Sequence, residues 1–223
     1  MTAVFGAWTI AAISLGAFSS VQAAQLSVNI QNLTTGQGLE DAVIEVLLPE
    51  TQWAQYTTQM DSSVDQLDKE FVANVTVVPR GSRINFPNSD NILHHVYSFS
   101  QAKVFELPLY GKGEYGDYFI EFDQPGVVEL GCNIHDWMLA YIYIAQTSLV
   151  AKTDDEGRAI ISGIPEGVHT VRIWHARSPE PNSVVEQDVE FSDEEAAIVR
   201  LAVEPTKSNR LRRAPISNRT RYR

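Results

Sequence analysis

Cys132 is the only cysteine among 223 residues, and it opens the run Cys132-Asn133-Ile134-His135-Asp136-Trp137-Met138. A thiol, an imidazole and a thioether thus fall at three-residue intervals, and a histidine pair, His94-His95, lies upstream. Soft sulfur donors hold Cu(I), imidazole suits both copper oxidation states, and trigonal His₂Cys with a weak axial Met is the donor set of blue-copper electron-transfer centres. A tight turn between two strands can aim Cys132, His135 and Met138 at one point. The second imidazole must then come from a neighbouring strand.

Taken singly, each residue has a plainer role. Free cysteine is among the most buried residue types, and methionine fills gaps in cores. What favours ligation is their joint occurrence with His135 as C-x-x-H-x-x-M between two strand-like runs. An unpaired cysteine in an exported chain also invites intermolecular pairing or oxidation, and metal ligation removes that liability.

Export is indicated by residues 1–24. Ala3 to Phe18 carries no charge, and Ser19-Ser20-Val21-Gln22-Ala23-Ala24 offers small residues for cleavage near Ala23 or Ala24. This reads as a secretory signal peptide. It departs from the usual pattern in having no basic residue ahead of the apolar stretch, since the first in the chain is Lys69. The stretch is shorter than the roughly 20 residues of a spanning helix, and no second apolar segment of that length follows. The expected location is the periplasm, with no stable membrane span after cleavage.

Charge is unevenly distributed. The chain has 28 acidic and 17 basic residues, and seven of the basic ones lie in the last 17 positions, so the body before them carries a net −18. Such a field steers a partner with a basic docking surface, or simply keeps an exported protein soluble. The tail, 206–223, has few large apolar residues and reads as disordered. Neither aromatic interleaving nor a nucleic-acid-binding motif is present, so nucleic acid is not an expected partner.

The elements that must position the ligands read as strands. Gln25 to Ile30 alternates with Leu26, Val28 and Ile30 on one face, and Ala42 to Leu48 follows after a Gly-rich turn. Further strand-like runs are Asn91–Phe99, Tyr118–Phe122, Val127–Cys132, Leu139–Ala145, Arg158–Ile161, Val168–Trp174, Val184–Phe191 and Ala197–Val203. All are short, rich in β-branched or aromatic residues, and bounded by turn formers. Gln52 to Lys69 suits a short helix or an irregular connection. The fold class is all-β, a sandwich.

The stretch from Phe71 to Ala145 resembles the cupredoxins, and the spacing of the ligand loop is similar to that of their amicyanin-like branch. The resemblance rests on the loop, on Val77-Val78-Pro79-Arg80-Gly81-Ser82-Arg83-Ile84-Asn85-Phe86 as strand, turn and strand, and on Phe122 to Gly131 as the turn and strand that deliver the cysteine. It implies a Greek-key cupredoxin-like sandwich over 70–146 holding one type 1 copper through His94, Cys132, His135 and Met138. The pair leaves two candidates for the first ligand, His94 and His95, and aligning His94-His95-Val96 with ligand, supporting residue and core takes His94. There His95 replaces the usual Asn, whose side chain ties the two ligand-bearing loops together. The resemblance further implies that His135 is the electron port, with Trp137 and Met138 beside it. Asp136 departs from that apolar surround.

The flanks, Gly38 to Val46 and Thr153 to Val171, resemble carboxypeptidase-regulatory-like or transthyretin-like sandwiches. This implies a second, discontinuous sandwich from 25–50 and 147–205, with the copper region between its halves. Its Asp154-Asp155-Glu156-Gly157 lacks the spacing of a calcium loop and reads as a hairpin turn. His169 and His175 read as packed residues. The chain is also similar to methylamine-utilisation proteins, although no residue identifies an amine dehydrogenase as its partner.

The expected function is one-electron transfer between redox partner proteins, with no bond in the protein made or broken. Enzymatic activity is not expected: five histidines, two of them in the flanks, cannot build a further copper centre, and hydrolase, phosphate-loop and zinc-protease signatures are missing. Two rivals remain, a copper carrier or chaperone using the same ligands and a structural sandwich without metal.

Overall fold

A computed structural model of the chain describes residues 24–178, 184–192 and 197–203, the last as backbone. The expected signal peptide, apart from Ala24, and the basic tail lie outside the described residues. The strands are β1 (Ala24–Asn32), β2 (Val43–Leu47), β3 (Asp61–Ser63), β4 (Gln66–Leu67), β5 (Glu70–Phe71), β6 (Val75–Pro79), β7 (Ser82–Asn85), β8 (Val96–Ser100) and β9 (Lys103–Glu106). They continue with β10 (Phe119–Phe122), β11 (Gly126–Cys132), β12 (Leu139–Ala145), β13 (Val150–Lys152), β14 (Arg158–Ile164), β15 (Gly167–Trp174), β16 (Val184–Phe191) and β17 (Ala197–Val203). One short helix, α1 (Trp53–Tyr56), follows a 3₁₀ turn at Glu50–Gln52.

Two face-to-face sheet pairs enclose two cores. Sheets β14-β1-β17 and β13-β2-β15-β16 bury Leu26, Val28, Ile30, Ile44, Val46, Ile161, Val171 and Ile173 between them. The alternation of β1 puts its buried residues on that one face, as a period of two requires. Sheets β6-β12-β11-β8-β9 and β10-β7-β3 enclose Val78, Ile84, Phe86, Ile120, Phe122, Val128, Leu130, Ile142 and Ile144. Among the described residues, β1 pairs with β14 and β17, and β2 with β13 and β15; neither pairs with a strand of 61–145.

Strand β12 belongs to both surroundings. Its apolar run Leu139-Ala140-Tyr141-Ile142-Tyr143-Ile144-Ala145 is buried on nearly every residue. Ala140, Ile142 and Ile144 enter the core that holds Cys132. Tyr143 and Ala145 face the other way, onto Val43 and Trp174 of the flanking sandwich. At this junction the Tyr143 hydroxyl donates to Glu45 Oε2 at 2.7 Å and the Gln146 N–H to Glu45 Oε1 at 2.6 Å. Burial pushes the Glu45 carboxyl above its ordinary value, although both of these bonds and Arg172 oppose the shift.

The strand expected over Asn91–Phe99 begins only at Val96. Residues 88–95 form a loop instead, because Asn88 binds backbone within it and beside it: Oδ1 accepts from Asp90 N–H at 2.9 Å, and Nδ2 donates to the carbonyls of Ile92 at 2.8 Å and, from a neighbouring segment, Tyr110 at 3.1 Å. His94 sits at the end of this loop, bridged to Tyr110 through both backbone groups. The ambiguous stretch from Gln52 to Lys69 resolves into α1 and the short strands β3 and β4.

Candidate metal centre

Cys132 ends β11 opposite Val96 of β8, so the cysteine and the His94 segment are brought together by ladder pairing across neighbouring strands. Beyond Cys132 the chain makes two successive turns three residues long: His135 N–H donates to the Cys132 carbonyl at 3.4 Å, and Met138 N–H to the His135 carbonyl at 2.9 Å. Side chains three residues apart in such turns lie on one side. This is the geometric meaning of the C-x-x-H-x-x-M spacing.

The donor atoms converge. Cys132 Sγ lies 3.7 Å from His94 Nδ1 and 3.6 Å from His135 Nδ1, and the two Nδ1 atoms are 3.2 Å apart. A first-row metal with bonds of about 2.0 Å to nitrogen and 2.3 Å to sulfur, set in the plane of such a triangle, needs separations of about 3.5 Å between nitrogens and about 3.8 Å between nitrogen and sulfur. The observed triangle matches to within a few tenths of an ångström, so the residues fit a bound metal. Met138 is 2% exposed and packs in the same core as Cys132.

The electrostatics of the metal-free triangle point the same way. Burial disfavours the Cys132 thiolate, but the His94 imidazole and backbone groups of His95 and Ile134 outweigh it and hold the thiol below its ordinary value. Burial likewise disfavours a charged His94, yet Cys132 and Asp90 outweigh it and raise its pKa. At His135 burial and the charge on His94 both lower the pKa, with Lys69 adding to them. Metal ligation requires the deprotonated thiol and neutral imidazoles, so binding at these three residues would release protons.

The structure separates His94 from His95. His94 is fully buried with Nδ1 in the triangle, and its Nε2 meets Asp90 Oδ2 at 2.8 Å. His95 turns away, its Nε2 2.9 Å from Glu106 Oε1 on β9. The carboxylate behind His94 fixes the tautomer that presents Nδ1 to a metal, a common support for imidazole ligands. Burial works to raise the Asp90 carboxyl, but the Lys69 N–H, His94 and the Asp68 N–H together hold it below its ordinary value. An acid four residues before a histidine is not a recognisable signal outside a helix, so the role of Asp90 was not legible in sequence.

His135 is half-buried, with its ring centroid 5.4 Å from that of Trp137. Around it the loop exposes Ile134, at 48%, and Asp136. A groove of about 990 Å³ on the outer face of the β12-β11-β8 sheet, with Tyr97, Glu129 and Tyr141 in its wall, reaches Cys132 and Met138. Gly131 lets Tyr97 lie there, since a Cβ at Gly131 would come within 2.7 Å of that ring.

The remaining histidines are taken up by backbone. His169 Nε2 lies 3.0 Å from the Pro165 carbonyl and His175 Nε2 3.1 Å from that of Glu40. Asp154, Asp155 and Glu156 do bring carboxylates together, but Arg158 pairs with Asp154 at 3.1 Å and with Glu156 at 2.6 Å. Asp154 Oδ1 also accepts from the N–H groups of Glu156 and Arg158, as a turn residue does.

The chain matches no protein-family model and no curated protein. Among solved structures it is similar to a copper-containing nitrite reductase from Thermus scotoductus SA-01, at 25% identity over 38% of this chain and 22% of that one, with a TM-score of 0.35. It is also similar to a purple cupredoxin from Nitrosopumilus maritimus, at 19% identity over 38% of this chain and 99% of that one, TM-score 0.34. A pseudoazurin from Sinorhizobium meliltoi aligns at 16% identity over 40% of this chain and 77% of that one, TM-score 0.32. Among the described residues no helix is long and apolar enough to cross a membrane.

Proposed function

We propose that this protein is a periplasmic type 1 copper protein that carries single electrons between redox partners. The carrying observation is the triangle of Cys132 Sγ, His94 Nδ1 and His135 Nδ1, with sides of 3.2–3.7 Å; Met138 belongs to the same buried core as Cys132. In this reading His94, Cys132 and His135 hold the copper, Met138 supplies the weak axial donor, and copper supplies the one-electron couple. The protein holds the donors in place so that little rearranges between oxidation states, and it excludes water by burying His94 and Cys132. The half-exposed His135, flanked by Ile134 and Trp137, is the port for electrons. Residues 70–146 are the copper module, and 25–50 with 147–205 form the sandwich against which it rests. The acidic body would meet a redox partner through a basic docking surface.

The alternative is a copper carrier, which would use the same donors and give up its metal to a recipient; the partly exposed His135 is the donor that such a recipient would approach. The two roles separate by experiment. An electron carrier loaded with copper shows a reversible one-electron wave in voltammetry and keeps its metal through many cycles beside a competing chelator. Loss of copper to the chelator on reduction would favour the carrier.

A further inference from the structure

The two ligand-bearing loops are joined through a third segment. Strands β4 and β5 make a small hairpin, Gln66 opposite Phe71 and Leu67 opposite Glu70, turned by Asp68 and Lys69. Both turn residues lie in the left-handed region, at φ 54° and 63°. Two-residue hairpin turns of this hand select Asn-Gly or Asp-Gly, and a side chain placed there crowds the following carbonyl oxygen. A turn that only reversed the chain would be relieved by glycine at Lys69.

Three backbone groups of that turn engage the site. The N–H of Asp68 donates to Asp90 Oδ1 at 2.7 Å, and the N–H of Lys69 to Asp90 Oδ2 at 2.9 Å. The same Oδ2 holds His94 Nε2 at 2.8 Å. On its other side the Lys69 carbonyl accepts the Trp137 indole N–H at 3.0 Å. A single residue thereby touches the support of His94 through its N–H and the Cys132–Met138 loop through its carbonyl. The base of the hairpin is stitched to the His94 loop as well: Asp65 accepts from Ser89 Oγ at 2.7 Å, and Ser89 N–H donates to the Gln66 carbonyl at 3.0 Å. His95, the neighbour of His94, turns its side chain to Glu106 on β9 instead.

We propose that the Asp68–Lys69 turn is a clamp that holds His94, through Asp90, and the Cys132–Met138 loop, through Trp137, in one fixed relation, and so sets the reduction potential of the bound copper. Asp68 and Lys69 act here as positioning residues, through their backbone groups. A carboxylate held by two N–H donors cannot swing, so the imidazole bonded to it cannot rotate. An indole held by the next carbonyl fixes the loop that carries the other three donors. The inference rests on the copper reading for its consequence, while the clamp is a property of the metal-free fold as well.

The test is a double-mutant cycle on Asp90→Asn and Trp137→Phe, two substitutions joined through Lys69. With copper bound, each is expected to shift the reduction potential and the copper hyperfine splitting, and the double variant to shift them by clearly less than the sum. Strict additivity would overturn the clamp. In the metal-free protein, hydrogen exchange of the Trp137 indole proton is expected to be about five- to tenfold faster in Asp90→Asn, the effect of losing one hydrogen bond. An unchanged rate would overturn the proposal. Should Asp90→Asn not fold, the Asp68 and Lys69 amides in Trp137→Phe give the reciprocal reading, with faster exchange expected and unchanged exchange contradicting it. Absence of a thiolate-to-copper band in the unaltered protein would sink the copper reading alone, and the metal-free exchange rates would still judge the clamp.

Discussion

The ligand region and the flanking sandwich treat their polar side chains in opposite ways. In the flanks His169 and His175 each meet a backbone carbonyl, and Asp154 and Glu156 of the acidic turn are both paired with Arg158. In the ligand region two imidazoles and a thiol are turned toward one another, with 3.2 Å between the two Nδ1 atoms. Two nitrogen lone pairs at that distance repel unless one carries a proton or both share a cation, so the arrangement suits a shared cation. A fold organised for stability alone satisfies its histidines singly, as the flanks do. The convergence at His94, Cys132 and His135 is what distinguishes a site for chemistry.

The sharpest way to break this comparison is to substitute the adjacent histidines. His94→Ala should abolish the thiolate-to-copper absorption band, whereas His95→Ala should keep it, because His95 faces Glu106. Retention of the band in His94→Ala would remove the distinction between the two histidines. In the flank the largest effect is expected on stability. Gly157 has φ 77°, and a Cβ there would come within 2.0 Å of the Ile30 carbonyl oxygen. Gly157→Ala should cost on the order of 3 kcal/mol in chemical denaturation while leaving the copper spectrum unchanged. A spectral change would show that the two regions are not separable.

The smallest effect belongs to the junction. The buried Glu45 carboxyl titrates above its unfolded value, so the folded state binds its proton more tightly than the unfolded state does. Its contribution to stability is therefore full below the unfolded pKa and falls as pH rises through the raised folded value. Glu45→Gln should flatten that part of the stability profile measured by denaturation at successive pH values. An unaltered slope would place the carboxyl's titration where an exposed glutamate has it.

Much of this was legible in sequence where information is local. The alternation of Leu26, Val28 and Ile30 marked β1, and the run from Leu139 to Ala145 marked β12, because burial imposes period two on the first and near-continuous apolar character on the second. The convergence of Cys132 with His135 was legible because the two sit three residues apart in one short loop. What stayed hidden was non-local or carried by backbone. Asp90 becomes a support for His94 only because Asn88 curls the loop back, and the Lys69 carbonyl meets an indole 68 residues away. No side-chain pattern announces a carbonyl's partner. His95 was equally silent, since its preference for Glu106 depends on the β8–β9 hairpin bringing that strand alongside.

The measurement that bears most directly on the central claim is addition of one equivalent of Cu(II) to the protein, followed by visible absorption and electron paramagnetic resonance, beside Cys132→Ser. An intense thiolate-to-copper band that vanishes with the substitution is the predicted result. No band, or tetragonal copper whose spectrum ignores the loss of Cys132, would contradict the account.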